Sequence, residues 1–206
     1  MDFTYAGVNA GVAAPTEATF GDFKTTFSGG TYIYPDSSSA TLFALTSDIT
    51  HSNWHISGTV GTYSGFGLYW YACALLDASA FKGISMTISG NMPANTLYIS
   101  VDTAEDEVAT AWYVANTTTP ATAGTFGTCV PGSNLYDGTC TAPSTAIPVA
   151  ATPTAVTILW ADLTGGKPQA SVSPSKLTGI SFYFNYSFST APFPVDITID
   201  DLSFVP

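Results

Sequence analysis

Apolar and polar residues alternate with a period of two along much of this chain. In residues 84–89, Ile84, Met86 and Ile88 alternate with Ser85, Thr87 and Ser89; in 96–102, Leu97, Ile99 and Val101 alternate with Tyr98, Ser100 and Asp102. Successive side chains of a strand point to opposite faces, so each run predicts a strand with one buried face and one polar face. Residues 180–186 repeat the pattern, with Ile180, Phe182 and Phe184 on one parity and Tyr183 and Asn185 on the other. The stretch 54–90 is the densest in aromatic residues. Within it, Phe66, Leu68, Trp70 and Ala72 share one parity, and Gly67, Tyr69, Tyr71 and Cys73 share the other. Rings on both parities predict a strand buried between two layers, or one with a core face and a face that meets a ligand.

Shorter runs at 31–34, 42–49, 54–57, 155–160 and 195–204 bring the set to about ten strands, and no amphipathic helix interrupts them. The runs 54–57 and 65–73 read as a neighbouring pair joined across 58–64. Turn chemistry at Gly29-Gly30, Pro35-Asp36 and Gly90-Asn91 separates the runs. Many short strands without helices predict an all-β, two-sheet jelly-roll β-sandwich. A single domain, 1–206, accommodates them, with 1–19 as an N-terminal edge strand or arm and 103–152 as a long loop excursion.

Three segments add a family comparison. The turn Asp77-Ala-Ser-Ala-Phe-Lys-Gly83 leads into a strand, Trp160-Ala-Asp-Leu-Thr-Gly-Gly166 forms an edge, and Ile199-Asp-Asp-Leu-Ser-Phe204 closes the chain. In that order they resemble the galactose-binding-like jelly-roll modules, and the resemblance runs from Phe20 onward. These modules include non-catalytic carbohydrate-binding modules of secreted polysaccharide-degrading enzymes. The resemblance implies the same fold, a glycan ligand, and structural Ca2+ at the sandwich edge between the first and last strands. Carried onto this sequence, that calcium falls to Asp22 and Asp201, helped by backbone carbonyls. The residues alone leave two readings of Asp200-Asp201. Strict alternation directs one carboxylate into the sandwich, where it needs a cation; an aspartate bonded to turn amides is the alternative.

Composition narrows the partners. Only 9% of residues are charged, against roughly 25% in typical globular proteins. Four lysines, no arginine and 15 acidic residues give a formal charge of -11. Nucleic acid is disfavoured as a partner, because binding it requires a basic footprint, and acidic membranes are disfavoured by the same repulsion. No apolar run is long enough for a membrane-spanning helix. The first residues lack the basic and apolar regions of a signal peptide, and the composition predicts a secreted mature segment whose signal has been removed. Neutral glycans, cations or another protein remain.

Cys129 and Cys140 bracket a Gly/Pro/Ser/Asn-rich stretch and are expected to form a disulfide, with Cys73 left as a small buried residue. His51 and His55 are too far apart along a strand to share a metal, and His55 reads as a hydrogen-bonded structural residue. Glycoside hydrolysis needs two placed carboxylates. The candidates are Asp102, Glu105, Asp106 and Glu107 set against Asp77, Asp200 and Asp201. The acidic group at 105–107 reads instead as a solvated turn, so no catalytic residue is assigned and the chain is not read as an enzyme.

Sugar recognition sets aromatic faces against the apolar side of a pyranose and polar groups against its hydroxyls. Opposite the core parities lie Tyr69, Tyr71, Tyr98, Asp102, Tyr183 and Asn185, which predict a concave ligand-binding face, with Trp54 and Trp112 supplementing it from loops. The expected function is a secreted, non-catalytic module that grips a neutral polysaccharide, within a larger multidomain chain or alone. The alternative is an extracellular structural or adhesive protein that self-associates, or binds another protein, through its charge-poor aromatic surface.

Overall fold

A computed structural model describes residues 16–20, 23–34, 45–48, 53–61, 64–70, 75–107, 127–132, 138–184 and 192–206. Two antiparallel sheets contain the strands of these residues. One sheet, in spatial order, contains β1 (Thr16–Phe20), β2 (Phe23–Tyr34), β5 (Ser64–Trp70), β10 (Leu177–Phe184), β7 (Thr96–Thr103) and β8 (Ser144–Pro148). The other contains β3 (Leu45–Asp48), β4 (Trp54–Val60), β11 (Phe193–Val205), β6 (Gly83–Asn91) and β9 (Thr154–Leu159). The molecule is the all-β jelly-roll sandwich that the alternation predicts.

The predicted core parities are buried. Ile84, Met86 and Ile88, then Leu97, Ile99 and Val101, then Ile180, Phe182 and Phe184 all lie in one apolar cluster between the sheets. Aromatic rings key the two layers together. The Trp54 ring meets Phe66 edge-on at 5.0 Å and 86°, and Phe66 stacks on Phe182 at 5.0 Å and 11°. Edge-to-face and offset contacts of this kind suit the ring quadrupole and add to the burial of apolar surface.

These contacts correct two expectations. Trp54, taken as a supplementary ligand-binding residue, is fully buried (0% exposed) in the core and is not at the surface. The strands β4 and β5 are not sheet neighbours: β4 pairs with β3 and β11, and β5 with β2 and β10. The chain between them crosses from one layer to the other, so residues close in sequence face each other through the core. Proximity along a chain favours hairpins, but a jelly roll routes many connections between its sheets.

A third correction concerns 103–152. This region is not purely a loop excursion, because β8 lies inside it and pairs with β7 from Thr96↔Pro148 to Ser100↔Ser144. Its run, Ser-Thr-Ala-Ile-Pro, buries only Ile147, too little alternation to announce a strand. The expected disulfide is present between Cys129 and Cys140. The N-terminal strand expected within 1–19 falls largely outside the described residues, as does Cys73.

Candidate ligand-binding face

The outward parity of the six-stranded sheet carries the candidate site. Tyr98 on β7 and Tyr183 on β10 are in register, and their rings stack with centroids 5.2 Å apart and planes 18° from parallel. Directly opposed residues of an antiparallel pair are the closest cross-strand neighbours, which is why two tyrosines 85 positions apart form one platform. The Tyr183 hydroxyl donates to Ser144 Oγ on β8 at 3.2 Å, fixing the outer edge of the ring.

Farther along the same two strands, Ser181 Oγ donates to Asp102 Oδ2 at 2.5 Å. Burial pushes the Asp102 carboxyl up to about 6, and the Ser181 hydrogen bond pulls the other way. The carboxylate is thus held by a neighbouring hydroxyl beside an aromatic pair, a combination that suits an apolar sugar face and its hydroxyls together.

Glycines shape the ground next to the platform. The β5 register partners of Tyr183 and Ser181 are Gly65 and Gly67, and Gly179 stands between Asp102 and Tyr69 in the row across β7, β10 and β5. These glycines bring no side chains to the outward positions and are themselves buried, so neighbouring groups cover this part of the sheet. The β2 partners of Gly65 and Gly67 are Tyr34 and Tyr32, of opposite parity to Ile33, which packs against the core. Sequence reasoning missed Ser181, Tyr32 and Tyr34. The alternation Thr31-Tyr-Ile-Tyr34 contained the signal for the latter two, but only register places them in the same rows as Tyr183 and Ser181.

Of the predicted ligand-binding residues, Tyr98, Asp102 and Tyr183 are brought together, and Tyr69 occupies the β5 position in register with Gly179. Tyr71, Asn185 and Trp112 lie outside the described residues. The outward residues Ser85 and Thr87 belong to β6 in the other sheet, so they cannot line this face.

Of the expected metal pair, only Asp201 is among the described residues; Asp22 lies outside them. Asp201 is exposed, with φ 51°, and its backbone N–H donates to Asp200 Oδ1 at 2.8 Å. The β11–β6 register shifts between Asp200 and Ser203, so a bulge absorbs one residue and restores Leu202 to the core. Alternation therefore breaks at this pair, and neither carboxylate enters the sandwich. The alternative reading, an aspartate bonded to turn amides, describes Asp200. Asp77 behaves similarly: its Oδ1 accepts from Ser79 N at 2.9 Å, and hydrogen bonds from Ser79 lower its pKa.

The acidic group after β7 is not a solvated turn. Asp106 is only 6% exposed, and its Oδ2 accepts from the Thr103 hydroxyl at 2.6 Å. Burial, opposed by that bond and reinforced by Asp102 and Glu105, raises Asp106 to about 6. Burial, then repulsion from Asp102 and Asp106, raises Glu107 to about 8. Glu105 goes the other way: burial is outweighed by Lys176, whose Nζ lies 2.7 Å from Oε1, together with further hydrogen bonds.

No family model and no curated protein matches the chain. Among solved structures it is similar to the family 11 carbohydrate-binding module from Clostridium thermocellum in complex with a β-1,3-1,4-mixed-linked tetrasaccharide. That likeness has 15% identity and a TM-score of 0.46, and covers 94% of this chain and 100% of the other. The family 30 carbohydrate-binding module of a cellulosomal cellulase from the same organism is similar at 14% identity and a TM-score of 0.47, covering 84% of this chain and 87% of the other. An exo-β-agarase is similar at 11% identity and a TM-score of 0.46, covering 93% of this chain but only 25% of the enzyme. The likeness in each case is one of fold, and the sandwich itself rests on the strand pairing described above.

Proposed function

We propose that this chain is a secreted, non-catalytic carbohydrate-binding module that lays a neutral polysaccharide across the outer face of its six-stranded sheet. The observation that carries the reading is the Tyr98–Tyr183 stack beside the Asp102–Ser181 pair. Flat rings take the C–H face of a pyranose, while the carboxylate and hydroxyl accept and donate to its equatorial groups. A net charge of -11 favours a neutral chain over an anionic one.

Affinity electrophoresis against mixed-linkage β-glucan, xyloglucan, glucomannan and xylan tests the proposal. Retardation by at least one polysaccharide, lost in Tyr183→Ala, is the expected result. Failure of all four to retard the chain, with elution as a large assembly, would replace this reading with the structural one. Release of reducing ends from any of them would overturn the non-catalytic assignment.

A further inference from the structure

The edges of the two sheets are not protected alike. Natural edge strands are closed by charge, proline, bulges or covering chain, because their unpaired N–H and C=O groups template other strands. Of the four edge strands among the described residues, β1 contains Glu17 and a register shift at Thr19–Phe20, and β3 ends on Asp48. The β8 edge is closed at Ser144, whose N–H and C=O bond to Thr164 at 3.0 and 3.2 Å, and the strand ends at Pro148. Strand β9 has none of these devices. Residues 151–161 contain no charged side chain, in a chain whose net charge is -11.

The pairing of β9 with β6 fixes which of its main-chain groups are free. Trp160 N donates to Lys82 O at 2.9 Å, and the register runs from Gly83↔Leu159 to Ile88↔Thr154. Hydrogen-bonded and non-hydrogen-bonded pairs alternate along an antiparallel ladder. Thr154, Val156 and Ile158 therefore turn their N–H and C=O groups to β6, and Ala155, Thr157 and Leu159 turn theirs to the open edge. Leu159 agrees with this phase, because its N–H bonds outside the ladder, to Asp162 Oδ2 at 2.8 Å. Ala155 and Thr157 are exposed, and among the described residues nothing pairs with the N–H or C=O of either.

We propose that the open edge of β9 is a homodimer interface, in which β9 pairs antiparallel with β9 of a second copy about a two-fold axis at Val156. In that register Ala155 stands opposite Thr157 of the second copy, and every free N–H and C=O of both residues is bonded. Moving the axis to Ala155 sets the Thr157 C=O opposite Pro153, which has no N–H. Moving it to Thr157 sets the Ala155 C=O opposite Leu159, whose N–H Asp162 already holds. The half-buried Val156, packed against the rim of the core, meets its own copy in a non-hydrogen-bonded pair, where side chains approach closest. A second copy fits because a two-fold interface needs a self-complementary patch, and this one brings no like charges together in an acidic chain. Strand β9 lies in the sheet opposite Tyr98 and Tyr183, so the inference does not rest on the glycan reading.

The test is sedimentation equilibrium of the full chain from micromolar to submillimolar concentration, with amide hydrogen exchange at both ends of that range. A reversible two-copy mass is expected, with the Ala155 and Thr157 amides protected at high concentration and open on dilution. Thr157→Lys sets like charges across the edge and should weaken the dimer about tenfold or more, while Ala146→Lys on the β8 edge leaves it unchanged. Circular dichroism checks that each variant is folded; if Thr157→Lys is not, Ala155→Lys takes its place with the same expectation. The proposal is overturned if the chain stays monomeric throughout the range, or if the lysine variant of β9 associates like the parent. Equal exchange of the two amides at both concentrations overturns it as well. Loss of the dimer in Ala146→Lys would assign the contact to the six-stranded sheet and would equally overturn it.

Discussion

The two outer faces of the sandwich are built by the same alternation and end with opposite chemistry. On the six-stranded sheet the outward rows contain the Tyr98–Tyr183 stack and the Asp102–Ser181 pair. On the five-stranded sheet they contain His55, Thr198 and Ser89 in one row, Ser57, Asp196 and Asn91 in the next, and Asp200 with Thr87 beyond. The second face is made of short polar side chains, with a hydrogen bond of 2.7 Å between His55 Nε2 and Asp196 Oδ1. Periodicity alone decides which parity faces water. Whether that parity can hold a flat, partly apolar ligand depends on rings standing in register across strands, a property of pairing and not of any one strand.

The comparison can be broken or sharpened by substitution. Removing the ring that both faces rest upon should have the largest effect: Trp54→Ala costs about 3–5 kcal/mol, as expected for a large core side chain. Urea denaturation should show this loss while the protein that remains folded binds polysaccharide as before; selective loss of binding without loss of stability would return Trp54 to the ligand face. Next comes Cys129→Ser with Cys140→Ser, which opens a loop with a sequence separation of 11. The chain-entropy model assigns about 3 kcal/mol to a loop of this size. An unchanged melting temperature in the double variant would show that the backbone bonds from Thr128 N to Ala104 O and from Cys129 N to Glu107 O hold the loop unaided.

Tyr183→Ala should weaken polysaccharide binding about tenfold, the scale of one lost ring contact, whereas Thr198→Ala on the opposite face should leave it unchanged. Equal losses from both would mean that the faces do not differ in function. A pH series probes the acidic group after β7. Asp106 and Glu107 are raised above their ordinary values, so the folded chain holds protons that the unfolded chain releases. Their contribution is fully present below the ordinary carboxylate range and is lost as pH rises through about 6 and about 8. The urea midpoint should therefore be lower at alkaline than at mildly acidic pH, and a midpoint that rises over this interval would contradict the burial of these groups. The smallest effect is expected from His55→Ala, at about 1 kcal/mol or less for an exposed side-chain hydrogen bond, with binding intact.

Much of the fold was legible from period-two patterning because apolar parity reports burial directly. The runs containing Ile84, Leu97 and Ile180 needed no tertiary information. Sheet membership was not legible, since nothing local in Trp54 or Phe66 states whether they are neighbours in a sheet or partners across a core. The same limit hid the Asp200-Asp201 bulge, where a left-handed residue rephases the strand so that Leu202 returns inward. At the candidate site, Tyr98, Asp102 and Tyr183 were readable as outward residues. The burial of Asp106 was not, because a hydrophilic tetrad gives no sign that the Thr103 hydroxyl bonds back to Asp106 and that Cys129 N bonds the neighbouring Glu107 carbonyl.

The position of β11 has a kinetic consequence. It lies between β4 and β6, so the middle of the five-stranded sheet is completed by residues 193–205, more than a hundred positions after either neighbour begins. Until that segment arrives, β4 and β6 each present a bare hydrogen-bonding edge, the kind of surface that recruits strands from other chains. Such non-local pairing slows folding, because a long loop must close before any contact stabilises it. A nascent or refolding chain therefore passes through its most aggregation-prone interval while it waits for β11, and ends it when that strand docks.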